Sequence, residues 1–172
     1  MDWFERKFSF DLPLWMKDNV VERLRGTPAR VEERMQGLSA HQLVQQRNGK
    51  WSIQEEVGHL LDLEPLWLGR VDDILGGAEE MRVADLENQK THRANHNTRP
   101  LIFLLSALRT QRLALIERVE TLPQEAFGLT SRHPRLKQPM RMIDLLFFTA
   151  EHDDHHLAVI SRLIGQAAMQ DT

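Results

Sequence analysis

The chain has 172 residues, of which 41% are hydrophobic and 27% charged, and this predicts one globular domain over residues 1–172. The formal net charge of -3 does not suit a clustered basic surface for DNA or RNA, so we expect no nucleic-acid partner. The chain contains no cysteine, which excludes disulfides, thiolate metal ligands and a cysteine nucleophile.

Neither targeting nor membrane insertion is indicated by the apolar pattern. The start at Met1 lacks a positive segment followed by a long apolar run, and this argues against a signal peptide. No apolar stretch approaches the roughly 20 residues that span a bilayer. We therefore expect a cytoplasmic protein without a membrane partner.

The amino-terminal part of the chain is predicted to hold two short helices. The first covers about 13–25 and ends at Gly26. Thr27–Pro28 has the pattern of an N-cap followed by proline at the first helical position, which predicts a second helix to about residue 36. A connector at 38–50 follows.

A long helix is predicted after this connector. Ser52–Glu55 forms a capping box, in which the serine caps forward and the glutamate reaches back. The helix should end near Gly76 and kink at Pro65, because proline removes one backbone hydrogen bond. The polar segment 79–97 is interpreted as a short helix and a loop.

Two more long helices are predicted in the second half. One covers about 98–122 with Pro100 in its first turn, and the other covers about 141–164 and ends at Gly165. The connector at 123–139 is rich in proline. Because Val, Ile and Thr do not alternate with polar residues over any strand-length window, no β-strand is predicted. These amphipathic segments predict an all-α four-helix bundle with one or two crossover connections.

Two histidines of the last predicted helix share one face. His152 and His156 are four residues apart, so their imidazoles can converge on one ion, as in the HExxH motif of zinc proteases. The glutamate of that motif is absent. On the helical wheel His156 and Asp153 fall within the apolar stripe, and His155 points away from it. The alternative is a hydrogen-bonded pair of core histidines.

The remaining histidines have weaker individual signals. His59 lies on the flank of the apolar stripe of the long helix that begins with the capping box, so its spacing alone does not establish it as a ligand. His41 and His133 lie in predicted connectors. His92 and His96 form a second HxxxH pair, but in a polar segment, and are predicted to lie on the surface.

Three charged residues fall within apolar helix stripes and predict a buried ion-pair network. They are Glu64, Arg112 and Asp153, on three different predicted helices. The favoured interpretation is that the network fixes the register of the helices. The second interpretation is that Asp153 or Glu64 also orients a metal-ligating histidine.

Three segments resemble the DinB/YfiT-like metalloenzyme family. Residues 50–64 read KWSIQEEVGHLLDLE and are similar to a signature of that family. His133–Pro134 and the AEHDDHHLA segment at 150–158 are similar to two later family segments, in the expected order. The resemblance extends over about 24–163, which is most of the chain.

This resemblance implies a four-helix bundle of the DinB/YfiT type, with crossover connections and extra short helices. It also implies a divalent metal site on His59, His152 and His156, for which zinc or nickel is the expected ion. Family members with assigned activities are mostly thiol-dependent, including bacillithiol and mycothiol S-transferases and a mycothiol-dependent isomerase. Other members are described as metal-dependent hydrolases.

The function expected from this resemblance is a thiol-dependent S-transferase that acts on a small molecule, with a low-molecular-weight thiol as cosubstrate. The alternatives are a metal-dependent hydrolase, a non-catalytic metal-binding stress-response protein, and a purely structural bundle. Glu56 is a candidate general acid or base, although a solvated position on the helix is favoured for it. Trp3 and Trp15 are predicted to contribute to a homodimer interface.

Overall fold

The computed structural model describes residues 3–169, and most of these residues lie in α-helices. The helices are α1 (Lys17–Arg25), α2 (Thr27–Met35), α3 (Ala40–Val44), α4 (Ile53–Leu75), α5 (Gln89–Ala94), α6 (Leu101–Glu120) and α7 (Met142–Ala168). Two short strands, β1 (Thr130–Arg132) and β2 (Pro139–Arg141), pair antiparallel in the connector between α6 and α7. No helix in the described range is long and apolar enough to cross a membrane.

Helices α4, α6 and α7 and the consecutive pair α1 and α2 occupy the four positions of a bundle. Both α4 and the α1–α2 pair pack against α6 and α7. Two apolar clusters fill the core, one at each end of the bundle. Because α4 and α6 both run from one cluster to the other in the same direction, residues 76–100 must form a crossover connection. The predicted four-helix bundle with a crossover is therefore confirmed.

The local signals of α4 are confirmed by its contacts. Ser52 Oγ accepts the backbone N–H of Glu55 at 3.1 Å, and the Glu55 carboxylate accepts the backbone N–H of Ser52 at 2.8 Å. The helix runs through Pro65 and ends before Gly76 and Gly77. Gly77 has a φ of 71°, which glycine adopts without steric cost.

The predicted carboxy-terminal end of α7 and the predicted absence of strands were wrong, whereas the predicted start of α7 near residue 141 is confirmed. Helix α7 continues through Gly165 to Ala168, because Gly165 keeps a right-handed backbone and does not act as a left-handed cap. The strands β1 and β2 are only three residues long, too short to show an alternating pattern. Helix α6 begins at Leu101 rather than near residue 98, with Pro100 as its N-cap residue.

A charged layer separates the two apolar clusters of the core. Arg112 of α6 is fully buried, and its guanidinium donates to the carboxylates of Glu64 on α4 and Asp153 on α7. Arg112 also donates to the backbone carbonyl of Leu24 at the end of α1. One side chain therefore ties together the elements at all four positions of the bundle.

Candidate metal centre

Three imidazoles meet where α4 packs against α7. His59 comes from α4, and His152 and His156 come from successive turns of α7; all three are buried. One ring nitrogen from each lies within 4.8 Å of the other two. Nε2 of His156 lies 3.2 Å from Nε2 of His152, so these two nitrogens face each other directly.

The donor set and its spacing fit a divalent ion. Imidazole nitrogens bind zinc at about 2.0–2.1 Å, which places neighbouring tetrahedral ligands about 3.3 Å apart. The observed 3.2 Å between His152 and His156 is close to this value. Three neutral nitrogens suit zinc or nickel and leave further coordination positions open.

The protonation state of the cluster also suits metal binding. Burial lowers the pKa of His59 to about 3 and that of His156 to about 4. Burial, followed by the charge of His156, also lowers the pKa of His152 well below its ordinary value. Each ring is therefore neutral near pH 7 and retains a lone pair for an ion.

Glu56 lies behind His156 rather than in solvent. It is 6% exposed, so the expected solvated position was wrong. Its Oε2 lies 2.6 Å from Nδ1 of His156 and accepts the ring N–H, which leaves the Nε2 lone pair directed at the cluster. Burial raises the pKa of Glu56 to about 7.

A second hydrogen-bond chain reaches His59 from the crossover. Nδ1 of His59 donates to Thr91 Oγ1 at 3.2 Å, and the Thr91 hydroxyl donates to Asp62 Oδ2 at 2.9 Å. His96 lies 2.8 Å from the same carboxylate oxygen. His96 is buried, so its predicted surface position was wrong; its ring packs directly over Gly58 of α4.

The sequence interpretation missed Thr91 and Asp62. The available signal for Asp62 was its position three residues after His59, on the same side of α4. Thr91 carried no comparable signal, because it lies on α5 of the crossover, far from His59 in the sequence. By contrast, Glu64 accepts from Arg112, and Asp153 accepts from Arg112 and Thr27. Neither carboxylate hydrogen-bonds to any of the three clustered histidines.

The histidine cluster opens into a cavity of about 290 Å³. The amino-terminal segment, α4, α7 and the loops at 83–88 and 133–135 line it. The aromatic part of the lining consists of Trp3, Phe4, Trp51, Trp67 and Phe148. Its polar and charged part consists of Arg70, Asp85, Asn88, His133, Arg135 and His155, beside the clustered histidines.

The structure separates the two tryptophans that were predicted to contribute to a homodimer interface. Trp3 is only 9% exposed and packs on His152 with ring centroids 5.0 Å apart, so it belongs to the interior. Trp15 is 70% exposed. His133 lies in a connector, as predicted, and is buried there against Phe148 with ring centroids 5.2 Å apart.

Comparison with known proteins identifies one family over most of the chain. The model of the DinB superfamily matches residues 23–160. No curated protein matches the chain significantly.

Solved structures match the fold at low sequence identity. YfiT from Bacillus subtilis, described as a probable metal-dependent hydrolase with an unusual four-helix bundle topology, aligns with a TM-score of 0.83 and 22% identity, over 95% of this chain and 94% of its own. A mycothiol-dependent maleylpyruvate isomerase aligns with a TM-score of 0.67 and 12% identity, over 88% of this chain and 62% of its own. The colibactin self-resistance protein ClbS, solved with double-stranded DNA, aligns with a TM-score of 0.65 and 12% identity, over 87% of this chain and 95% of its own.

Proposed function

The chain belongs to the DinB superfamily, and from this premise we propose that it is a single-domain enzyme that binds one divalent ion, zinc or nickel, on His59, His152 and His156. The observation that carries the proposal is the convergence of three buried imidazoles at one side of a cavity. Desolvating three polar rings together is costly unless a partner compensates for it.

The chain's own residues would prepare this site for an ion. Glu56 and Thr91 hold the Nδ1–H groups of His156 and His59, which keeps both Nε2 lone pairs free. Trp3 and Trp67 pack on the ring of His152 and restrict water on that side. A bound divalent ion would lower the pKa of a coordinated thiol or water and so supply a nucleophile near neutral pH.

We propose thiol S-transfer to a small electrophile as the reaction. The chain has no cysteine, so the thiol would arrive with a low-molecular-weight cosubstrate. The aromatic lining suits an apolar electrophile. Hydrolysis is the second candidate, supported by the description of YfiT. Glu56 lies behind His156 and outside the cavity lining, which does not favour it as a general base for water.

The first test is the metal content of the untagged protein, measured by mass spectrometry. We expect about one equivalent of divalent metal, as one three-ligand site requires, and its loss in His156→Ala. His41→Ala, which removes an exposed histidine, is the matched control and should keep the metal. Protein that stays empty after reconstitution with zinc, nickel and manganese would refute the proposal.

The reaction is tested with metal-loaded and metal-stripped protein. Thiol transfer predicts that the loaded form accelerates conjugation of a thiol, from a panel, to monobromobimane or chlorodinitrobenzene. Turnover of esters or amides without added thiol would instead support hydrolysis. A metal-loaded protein inactive in both assays would favour the non-catalytic alternative.

A further inference from the structure

A second cluster of polar residues lines the cavity and has no role in the proposed metal site. Arg70 of α4 is 2% exposed, and its guanidinium lies over the ring of Trp67, 5.6 Å from the centroid. Arg135, in the loop after β1, lies 5.2 Å from the ring centroid of Phe4. Within residues 3–169 neither guanidinium forms an ion pair with a carboxylate.

A buried guanidinium such as that of Arg70 is unusual without a directly paired carboxylate, because its charge has lost its hydration. Burial lowers the pKa of Arg70 to about 10, and it lowers the pKa of Arg135 as well. Nη2 of Arg135 is buried and has no hydrogen-bond partner in the described chain. Asp85, the one carboxylate that residues 3–169 contribute to the cavity lining, accepts the backbone N–H groups of Glu87 and Lys90 instead.

The tautomer of His133 adds a third donor to this group. Its Nδ1 accepts the backbone N–H groups of Arg135 at 3.2 Å and Leu136 at 3.1 Å. Because a backbone N–H can only donate, the proton of the neutral ring lies on Nε2. Burial and the charge of Arg70 lower the pKa of His133 to about 3, which keeps the ring neutral.

Two donors therefore face each other without an acceptor between them. Nε2 of His133 lies 3.2 Å from Nη1 of Arg70, and both atoms carry hydrogen. Neither can accept from the other, so the pair lacks the acceptor that buried polar groups normally have. A planar anion with two oxygens would satisfy both donors and the unpaired Nη2 of Arg135.

We propose that Arg70, His133 and Arg135 form a subsite for the carboxylate of the small molecule that enters this cavity. The Trp67 ring contacts both the Arg70 guanidinium and the ring of His152, and the centroids of the two rings are 5.5 Å apart. A single aromatic side chain therefore connects the subsite to the histidine cluster. The assignment of that molecule as the substrate rests on the proposed function. The substrate is then an apolar or aromatic carboxylic acid, held with its body toward the metal site.

The test compares phenylacetate with its neutral analogue phenylacetamide by titration calorimetry at pH 7.5. The full-length protein is used as purified and again after chelation, so that carboxylate binding to a metal does not contribute. We expect the carboxylate to bind at least about tenfold more tightly than the amide to the chelated protein. Absence of saturable phenylacetate binding, or equal affinity for the two ligands, would overturn the proposal.

Three variants test which residues produce the preference for the carboxylate. Arg135→Gln alters a half-buried loop residue and should reduce the preference for the carboxylate below about threefold; Arg70→Gln, if it folds, should do the same. Arg132→Gln removes the same charge from an exposed position of the same hairpin and should keep the full preference. An unchanged preference in Arg135→Gln would overturn the subsite.

The two proposals fail separately in these experiments. A carboxylate preference that persists in His156→Ala protein without metal would support the subsite even if the metal site were wrong. Absence of the preference in the parent protein, when that protein binds one metal ion, would overturn the subsite alone.

Discussion

At the scale of single residues, burial decides the protonation states of His133 and of the three clustered histidines. His133 has a pKa of about 3 in the folded protein, against an ordinary value of 6.5. Between these values the unfolded chain binds a proton that the folded chain does not bind. The contribution to stability is therefore complete above pH 6.5 and is lost as the pH falls toward 3. The raised pKa of Glu56 acts in the opposite direction below pH 7.

The variant His133→Asn tests this dependence, because asparagine can still accept the backbone N–H groups but cannot titrate. Between pH 6.5 and 5 we expect the metal-stripped variant to lose about 1–2 kcal/mol less unfolding free energy than the parent protein. Urea denaturation across this range measures the difference. Glu56 contributes equally to both proteins, so equal losses would contradict the assigned neutral state of His133.

The hydrogen bond between Glu56 and His156 leads to a second prediction at this scale. Glu56→Gln keeps an acceptor but removes the carboxylate charge beside the His156 ring, which is proposed to bind the ion. We expect metal affinity to fall by about 10–100-fold, measured by competition with a chelator. Glu117→Gln, an exposed change on α6, serves as the control. Equal affinities in the two variants would show that the Glu56 charge does not support the site.

At the scale of secondary-structure elements, close packing of the crossover on α4 positions the partners of His59. A Cβ at Gly58 would lie 2.3 Å from the ring of His96, closer than atoms can approach. Side chains larger than glycine would therefore displace His96 and, through Asp62, the Thr91 hydroxyl that accepts from His59.

Gly58→Ala should accordingly lower the unfolding free energy by about 1–3 kcal/mol through overpacking. Gly165→Ala on α7 is the matched control, since no atom lies within 4 Å of its added Cβ. That change should stabilise the protein by up to about 1 kcal/mol, because alanine favours a helix interior. Chemical denaturation of both variants measures the effects, and destabilisation of similar size in both would contradict the packing argument.

At the scale of the whole molecule, the charged layer around Arg112 sets the alignment of the bundle. Arg112→Met leaves the buried carboxylates of Glu64 and Asp153 without their cation. We expect a loss of about 3–5 kcal/mol of unfolding free energy, measured by denaturation. The folded variant should retain its metal, because neither carboxylate hydrogen-bonds to a clustered histidine. Loss of metal by the folded variant would favour the interpretation that the network also orients a ligand.

Features that depend on neighbouring residues could be predicted from the amino-acid sequence. The capping box at Ser52 and Glu55 involves atoms one helical turn apart, and the shared face of His152 and His156 follows from the same periodicity. The stripe positions of Glu64, Arg112 and Asp153 predicted their burial for the same reason. The prediction of His59 as a ligand needed the family resemblance, since its wheel position left its exposure open.

Features that depend on packing between distant segments were decided only by the tertiary structure. Glu56 meets His156 across 100 residues, and Arg70 meets His133 across 63. His96 lies in a polar stretch of the sequence but is buried, because the crossover packs against α4 at Gly58, which has no side chain. By itself, the sequence determined the long helices and their apolar faces through local periodicity. The tertiary structure decided which polar groups share one cavity, since that depends on how the faces dock.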